Sequence, residues 1–122
     1  MLEATSTLVL GASENPSRYS FLAINRLLQH GYKVLAVGAR PGVVNSVPIT
    51  TAIDLTQRPD TVTLYLSPPN QKPYYDQLLQ LKPRRIIFNP GTENQELADL
   101  AKAAGIQTTE ACTLVLLGTG QY

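Results

Sequence analysis

The sequence is poor in the residues from which disulfides and metal sites are built. It holds one cysteine and one histidine in 122 residues, and no tryptophan. A single Cys112 excludes a disulfide within the chain and is typical of a reducing compartment. One histidine and one cysteine do not supply the usual ligands of a zinc site, so we expect no bound metal.

The sequence also lacks an excess of charge of one sign. Ten Lys+Arg stand against nine Asp+Glu, which gives a formal charge of +1. A nucleic-acid-binding domain usually carries a basic face, so nucleic acid is not an expected partner. No apolar run approaches the roughly 18 residues that span a bilayer, and residues 1–7 lack the basic-then-apolar order of a secretory signal. These absences predict a cytoplasmic globular protein with no membrane partner.

What the sequence does contain is an alternation of short apolar runs with segments of helical periodicity. The apolar runs predict strands at residues 7–11, 33–37, 61–66, 85–88 and 106–109. Between them, apolar residues recur at helical spacing around residues 21–28, 73–79 and 97–104. Residues 38–48, rich in glycine, proline and asparagine, are predicted as an irregular connection, and a short element follows at residues 52–55.

Strands that alternate with helices predict a parallel sheet, because each parallel return needs a crossover of about a dozen residues. Right-handed crossovers place helices on both faces, and continuously apolar strands agree with burial on both sides. The sequence therefore predicts an α/β Rossmann-like three-layer sandwich with a five-stranded, mostly parallel sheet. No linker divides the chain, so we expect residues 1–122 to form one domain.

The loops at one edge of this sheet are the expected ligand site. Ligands of open α/β sheets bind outside the carboxyl ends of the strands, near the point where strand order reverses. The loops that leave the predicted strands begin at Gly11, Gly38, Ser67, Asn89 and Glu110. They are rich in small and polar residues.

The first of these loops, residues 11–20, has the composition of an anion site. Small residues let backbone N–H groups approach an anion, and the helix that follows adds about half a positive charge. Ser13, Ser17 and Ser20 offer hydroxyls, and Arg18 offers a planar fork of donors that suits a phosphate. A serine-capped helix start with a solvated arginine is the alternative interpretation. We favour phosphate binding for the loop as a whole and the cap for Ser17 alone.

This loop is not the dinucleotide fingerprint G-x-G-x-x-G, because Ser13 and Pro16 stand where the second and third glycines belong. The second predicted strand also ends without the carboxylate that an NAD ribose requires, and Arg40 follows it. Arg40 suits a ribose phosphate, which NADP carries at the 2′ position and coenzyme A at the 3′ position. A plain surface arginine is equally compatible with the sequence.

Several short stretches resemble, in order and spacing, the short stand-alone bacterial CoA-binding domain proteins, which are related to the CoA-binding domain of the succinyl-CoA synthetase α subunit. The resemblance covers residues 8–112 and rests on the combination, since no single stretch is diagnostic. The matching stretches are Val9-Leu10-Gly11-Ala12-Ser13 with Arg18 and Ser20, Leu28-x-x-Gly31-Tyr32-x-Val34, Pro68-Pro69, Asn89-x-Gly91-x-x-Asn94, and Ala104-Gly105-Ile106 before Cys112.

The resemblance implies coenzyme A or an acyl-CoA as the cofactor, and it implies a role for each matched position. The pyrophosphate would lie on Gly11, Ala12, Ser13, Arg18 and Ser20. The adenine and its ribose phosphate would lie beside Val37, Gly38 and Arg40. The pantetheine arm would follow Ser67, Pro68 and Pro69, with Asn89, Pro90 and Gly91 close to it.

No residue is predicted to be catalytic. Cys112 follows the fifth predicted strand on the ligand side, but a reactive thiol needs a neighbouring cation or histidine. The only histidine, His30, falls at the far end of the first helix, so Cys112 is interpreted as structural. Glu14, Glu93 and Glu110 are interpreted as solvated loop carboxylates rather than general bases.

Three functions stay open at this point. The first is a small module that binds CoA or an acyl-CoA and has no catalytic machinery of its own. The second is an NAD(P)-binding oxidoreductase-type domain, with NADP as cofactor, that acts as a homodimer or with a partner enzyme. The third is a scaffold without a ligand. The apolar tail, residues 113–117, is expected to dock on the body of the domain or on a second subunit.

Overall fold

The computed structural model describes residues 5–122. Residues 1–4 of the segment 1–7, which was compared above with a secretory signal, lie outside the described residues. The elements in chain order are β1 (Ser6–Leu10), α1 (Tyr19–Gln29), β2 (Lys33–Val37), β3 (Gly42–Val44), β4 (Val47–Thr50), β5 (Thr61–Leu64), α2 (Pro68–Gln71), α3 (Tyr75–Leu81), β6 (Arg85–Phe88), α4 (Gln95–Ala103), β7 (Gln107–Glu110) and α5 (Thr113–Gly118), with a 3-10 turn at Lys72–Tyr74. None of these helices has the length and apolar character needed to cross a bilayer.

The sheet has seven strands in the order β3-β4-β2-β1-β5-β6-β7. All neighbours pair in parallel except β3 and β4, which are antiparallel. The predicted α/β Rossmann-like fold with a mostly parallel sheet is therefore confirmed, and the prediction of five strands is wrong.

The two missing strands lie in the segment that was predicted to be irregular. β3 and β4 form a hairpin whose turn residues Asn45 and Ser46 both have positive φ, 48° and 69°. This is the two-residue hairpin geometry, whose twist matches that of its strands. Pro48 is tolerated because it faces Val43 of the edge strand β3 and precedes the part of β4 that pairs with β2.

The short element predicted at residues 52–55 is also wrong, because these residues form bends and turns. Only Ile53 is buried there, and it fills the core on the side of the sheet that α3 and α4 cover.

Two cores lie on opposite faces of the sheet, as the period of two along each strand requires. Leu8 and Leu10 of β1 pack in the core beneath α3 and α4, whereas Val9 packs in the core beneath α1 and α5. The tail predicted to dock forms α5, which packs against α1 and buries Leu117 in the second core. These layers hold the carboxyl ends of the central strands in fixed positions.

Candidate functional site

A cleft of about 890 Å³ lies at the carboxyl edge of the sheet. The chain runs from β1 outward to β2 on one side and continues at β5 on the other, so strand order reverses between β1 and β5. This is the position at which open α/β sheets bind ligands, and the volume lies within the usual range of small-molecule sites. The lining residues are Gly11, Ala12, Ser13, Glu14, Asn15, Arg18, Tyr19, Ser20, Ala39, Arg40, Pro41, Tyr65, Leu66, Ser67, Asn70, Pro90, Gly91 and Thr92.

Gly11 brings the first loop close to both neighbouring strand ends. Its φ is +97°, and a Cβ there would lie 2.9 Å from the carbonyl carbon of Tyr65. The N–H groups of Gly11 and Ala12 both donate to the carbonyl oxygen of Val37, at 2.8 and 2.9 Å. A side chain at position 11 would therefore strain the backbone and push the loop away from β5.

Gly38 makes the matching approach from the end of β2. A Cβ at Gly38 would overlap the carbonyl oxygen of Ala12, so only glycine lets the two loops come this close. The Gly38 N–H donates to Thr50 at 2.9 Å, which fixes the start of the second loop to β4. Gly11 and Gly38, each directly after one of two adjacent strands, thus allow the first two loops to pack closely at the back of the cleft.

Side-chain turns hold the middle of the first loop in shape. The hydroxyl of Ser13 accepts the Asn15 N–H at 3.0 Å. The amide oxygen of Asn15 accepts both the N–H and the hydroxyl of Ser17, at 3.0 and 2.8 Å. These local bonds preorganise the loop and leave Ser17 outside the lining of the cleft.

The N-terminus of α1 faces the cleft with free donors. The N-cap residue is Arg18 rather than a serine, and no side chain of the described residues caps the helix. The first turn contains no acidic residue, so nothing there neutralises the positive end of the helix dipole. Tyr19 and Ser20 line the cleft at this turn. The arrangement suits an anion.

Two arginines and one carboxylate give the cleft its charge. Arg18 and Arg40 are exposed and line it, and within residues 5–122 neither forms an ion pair. Among the described residues, Glu14 is the one carboxylate in the lining. Its Oε2 accepts the Val43 N–H at 2.9 Å, so its negative charge is held toward β3.

A buried glutamine joins the loops on the other side of the cleft. Gln71 is fully buried, and its Nε2 donates to the carbonyl oxygens of Leu66 and Thr92, each at 2.8 Å. Its Oε1 accepts from Asn94, the N-cap of α4, at 2.9 Å. Sequence reasoning missed Gln71, because a glutamine after two prolines looks like an ordinary surface residue.

Asn89 lies beneath the cleft in a buried polar network. Its Nδ2 donates to Thr63 Oγ1 and to the carbonyl oxygen of Leu64, at 2.6 and 2.8 Å. Its Oδ1 accepts the Thr113 N–H at 2.8 Å, and the Thr63 and Thr113 hydroxyls bond to each other at 2.7 Å. Every polar atom of the side chain is therefore engaged inside the protein.

Tyr65 packs beside this network and also lines the cleft. Its hydroxyl is buried and has no hydrogen-bond partner among the described residues. Burial raises the pKa of Tyr65 to about 12, and the nearby hydroxyls of Thr113 and Thr63 offset only part of this rise. The phenol is therefore neutral at physiological pH.

The structure brings most of the predicted binding residues together. Those that line the cleft are Gly11, Ala12, Ser13, Arg18, Ser20, Arg40, Ser67, Pro90 and Gly91; those that do not are Val37, Gly38, Pro68, Pro69 and Asn89. Within the second group, Val37, Gly38 and Asn89 hold the loops of the cleft through backbone bonds and the buried network, whereas Pro68 and Pro69 start α2 beside it. Lining residues that were not predicted, such as Tyr19, Ala39, Pro41 and Asn70, lie in the same loops, and loop membership is the signal that could have found them.

Cys112 and His30 lie apart from each other. Cys112 is half-buried at the N-cap of α5 and does not line the cleft. His30 is the C-cap of α1, at the opposite end of the helix from the cleft. Within residues 5–122, no group of three or more His, Cys, Asp or Glu residues is arranged to hold a metal ion.

Comparison with known proteins agrees with this geometry. The sequence matches the CoA binding domain family over residues 5–118, and the chain belongs to this family. A crystal structure of an uncharacterised protein is similar at 42% identity, with a TM-score of 0.94, over 99% of this chain and 100% of that one. No curated protein matches the chain.

Two more distant structures share the fold. A hypothetical protein from Pyrococcus horikoshii OT3 is 24% identical, with a TM-score of 0.82, over 89% of this chain and 78% of that one. A protein from Thermus thermophilus is also 24% identical, with a TM-score of 0.86, over 98% of this chain and 91% of that one.

Proposed function

We propose that this chain binds coenzyme A or an acyl-CoA in the cleft at the carboxyl edge of its sheet and acts as a binding module. We also propose that residues 1–122 form a single domain of this kind. The observation that carries the proposal is a combination of three features at the strand-order reversal. They are the uncapped start of α1, two arginines that form no ion pair within residues 5–122, and loops that pack closely at Gly11 and Gly38. Membership of the CoA binding domain family supports the same ligand.

The pyrophosphate is assigned to the first loop. In this proposal the N-terminus of α1 and the guanidinium of Arg18 bind its negative charge, with Ser13 and Ser20 at hydrogen-bonding positions. Gly11 and Ala12 form the surface on which it rests. The residues fit an anion because the helix start has no acidic residue.

The nucleoside end is assigned to the second loop, where Val37 and Gly38 border the adenine and Arg40 binds the ribose phosphate. The pantetheine arm is assigned to the other side, along Ser67, where Pro68 and Pro69 start α2. From there it passes Pro90 and Gly91, with Asn89 supporting the floor. The arm would leave the cleft between the loops that Gln71 ties together.

No nucleophile–base pair lies among the described residues that line the cleft, and this favours binding over catalysis in the proposal. Cys112 is outside the cleft and far in the fold from His30, so an activated thiol is not supported. The module would hold its ligand for regulation, storage or delivery to a partner enzyme. An oxidoreductase-type function with NADP remains the competing assignment, because Arg40 suits either ribose phosphate.

Calorimetry and thermal unfolding with CoA, acetyl-CoA, NAD and NADP at equal concentrations test the proposal. A ligand that binds only the folded state at 100 times its Kd stabilises it by about 2.7 kcal/mol. We expect this from CoA and acetyl-CoA. We expect Arg18→Ala to weaken CoA at least about tenfold, because a charge-assisted hydrogen bond contributes about 1.5–3 kcal/mol.

Arg26→Ala is the matched control, since Arg26 is an exposed arginine on the same helix outside the cleft. It should leave the Kd for CoA unchanged. Stabilisation by NADP alone would replace CoA with the competing assignment, and no stabilisation by any of the four ligands would refute a nucleotide site.

A further inference from the structure

Glu14 connects the first loop of the cleft to the hairpin β3–β4. Its carboxylate Oε2 accepts the Val43 N–H at 2.9 Å, across 29 positions of sequence. The two segments have no peptide connection near this point, so the bond fixes the position of one relative to the other. Glu14 is thus a link between two walls of the cleft.

The Val43 N–H is available for this bond because β3 is the last strand of the sheet. Val43 faces Pro48 in the antiparallel pair, and no strand formed by residues 5–122 lies on the other side of β3. An unpaired N–H at a sheet edge usually bonds to water. Here a carboxylate takes that place.

Gly42 gives Glu14 the room to make this bond. A Cβ on Gly42 would lie 2.6 Å from Glu14 Cγ and 2.7 Å from Glu14 Oε1, so the carboxylate lies flat against the glycine backbone. The φ of Gly42 is not positive, so alanine fits the backbone there. Alanine would displace only the flexible end of Glu14.

The linked segment carries Arg40, which precedes Gly42 by two residues and lines the cleft. We propose that Glu14 is a positioning residue that holds Arg40 against the cleft, and that it thereby sets the preference of the site for a ligand with a ribose phosphate. This inference rests on the proposed function. Without the link, the hairpin would stay anchored through Gly38 and the buried Val44, but residues 39–43 would lose their side-chain bond to the first loop, and Arg40 would be held less closely.

The charge of Glu14 distinguishes the positioning of Arg40 from a direct contact between Glu14 and the ligand. The Glu14 carboxylate lies in a cleft assigned to anions, so its own effect on a phosphate is repulsive. Glu14→Gln keeps an oxygen that can accept the Val43 N–H and removes the repulsion. Glu14→Ala removes both, and Gly42→Ala displaces the carboxylate without changing it.

The experiment compares CoA with dephospho-CoA, which lacks only the 3′-phosphate, by calorimetry on the full chain. Wild type should prefer CoA at least about tenfold, the ratio that one charge-assisted hydrogen bond supplies. Glu14→Gln should keep this ratio, with both ligands bound as tightly as before or more tightly. Glu14→Ala and Gly42→Ala should each reduce the ratio at least threefold, and the double variant should reduce it no further, since both changes break one link.

Amide hydrogen exchange of Val43 without ligand gives a second measurement. The Val43 N–H should exchange at least about tenfold faster in Glu14→Ala and in Gly42→Ala than in wild type and Glu14→Gln. Thermal unfolding of each variant checks that it folds, and Gly42→Ala provides the test if Glu14→Ala does not.

Each outcome is decisive. If wild type binds neither ligand, the proposed function fails, and this inference fails with it. If wild type prefers CoA but Glu14→Ala and Gly42→Ala keep the ratio within twofold, only this inference is overturned. Equal loss of the ratio in Glu14→Gln and Glu14→Ala would also overturn it, because glutamine keeps the acceptor for the Val43 N–H and this bond would then not be what sets the ratio.

Discussion

The amino end of the sheet encloses an arginine, whereas the carboxyl end presents two arginines to solvent. Arg85 is 9% exposed, its Nε donates to Thr61 Oγ1 at 3.0 Å, and its guanidinium lies 4.4 Å from the centre of the Tyr122 ring. Arg18 and Arg40 line the cleft and have no side-chain partner among the described residues.

The same end of the sheet is closed by aromatic packing. The Tyr122 hydroxyl hydrogen-bonds to the Thr7 hydroxyl. The rings of Tyr122 and Tyr32 pack edge to face, with 4.8 Å between the ring centres. Burial is the main cause that raises the pKa of Tyr122 above its usual value. At the amino end, polar side chains pair with one another and stabilise the fold, whereas at the carboxyl end the exposed arginines are available to a ligand.

The largest expected change in stability comes from removing the Tyr122 side chain at the amino end of the sheet. Tyr122→Ala removes a largely buried aromatic ring, the ring beneath Arg85 and the partner of Thr7. We expect the free energy of unfolding to fall by about 2–4 kcal/mol in urea titration at neutral pH. Tyr19→Ala, at an exposed tyrosine in the cleft, should change it by no more than about 0.5 kcal/mol. Equal losses in the two variants would contradict the distinction between the ends.

The second prediction tests whether the buried polar network beneath the cleft stabilises the fold, as the paired side chains at the amino end do. Asn89→Ala leaves the Thr113 N–H and the Leu64 carbonyl without their side-chain partner, and we expect a loss of about 1–3 kcal/mol. Asn70→Ala is the control, since the Asn70 side chain donates only to the hydroxyl of Ser67 at the rim. Its unfolding free energy should stay within about 0.5 kcal/mol of wild type. A tolerant Asn89 would mean that the network contributes little to stability.

The smallest effect concerns Tyr65, which belongs to both regions. Its buried hydroxyl has no hydrogen-bond partner in the described part of the chain, so Tyr65→Phe should raise the unfolding free energy at pH 7 by up to about 1 kcal/mol. The folded pKa of about 12 lies above the ordinary value of 10.0, so wild type loses stability as pH rises between these values. Tyr65→Phe lacks that loss, and by pH 11 the gap in unfolding free energy between the two proteins should widen by about 1.4 kcal/mol.

Unfolding titrations of both proteins at pH 9, 10 and 11 measure the gap. Tyr32→Phe is a control for general alkaline effects. A constant difference between wild type and Tyr65→Phe across this range would show that the Tyr65 phenol titrates normally.

Much of the fold could be predicted from local pattern. The central strands β1, β2, β5 and β6 are short apolar runs, and their periodicity with the helices between them determined the parallel core and its ligand edge. The hairpin β3–β4 could not be predicted, because the sequence Asn45-Ser46 is common in polar loops of many kinds. Only the structure shows that both residues have the positive φ of a two-residue hairpin turn.

The candidate site divides in the same way. The predicted loop residues Ser13, Arg18 and Arg40 line the cleft because loop position follows directly from strand order. The roles of Gln71 and Glu14 depend on partners 21 and 29 positions away in the chain. Pairings of that kind form only when the chain has folded, so periodicity and composition carry no trace of them.

The contact between Glu14 and Val43 also affects how the sheet can grow. An edge strand exposes unpaired backbone groups to which another chain can pair, and charged side chains at the edge commonly prevent such pairing. At Val43 the main-chain donor that such an invading strand would need is already satisfied. Strand addition at Val43 would first have to displace the carboxylate of Glu14, so the contact disfavours pairing with another chain at this residue.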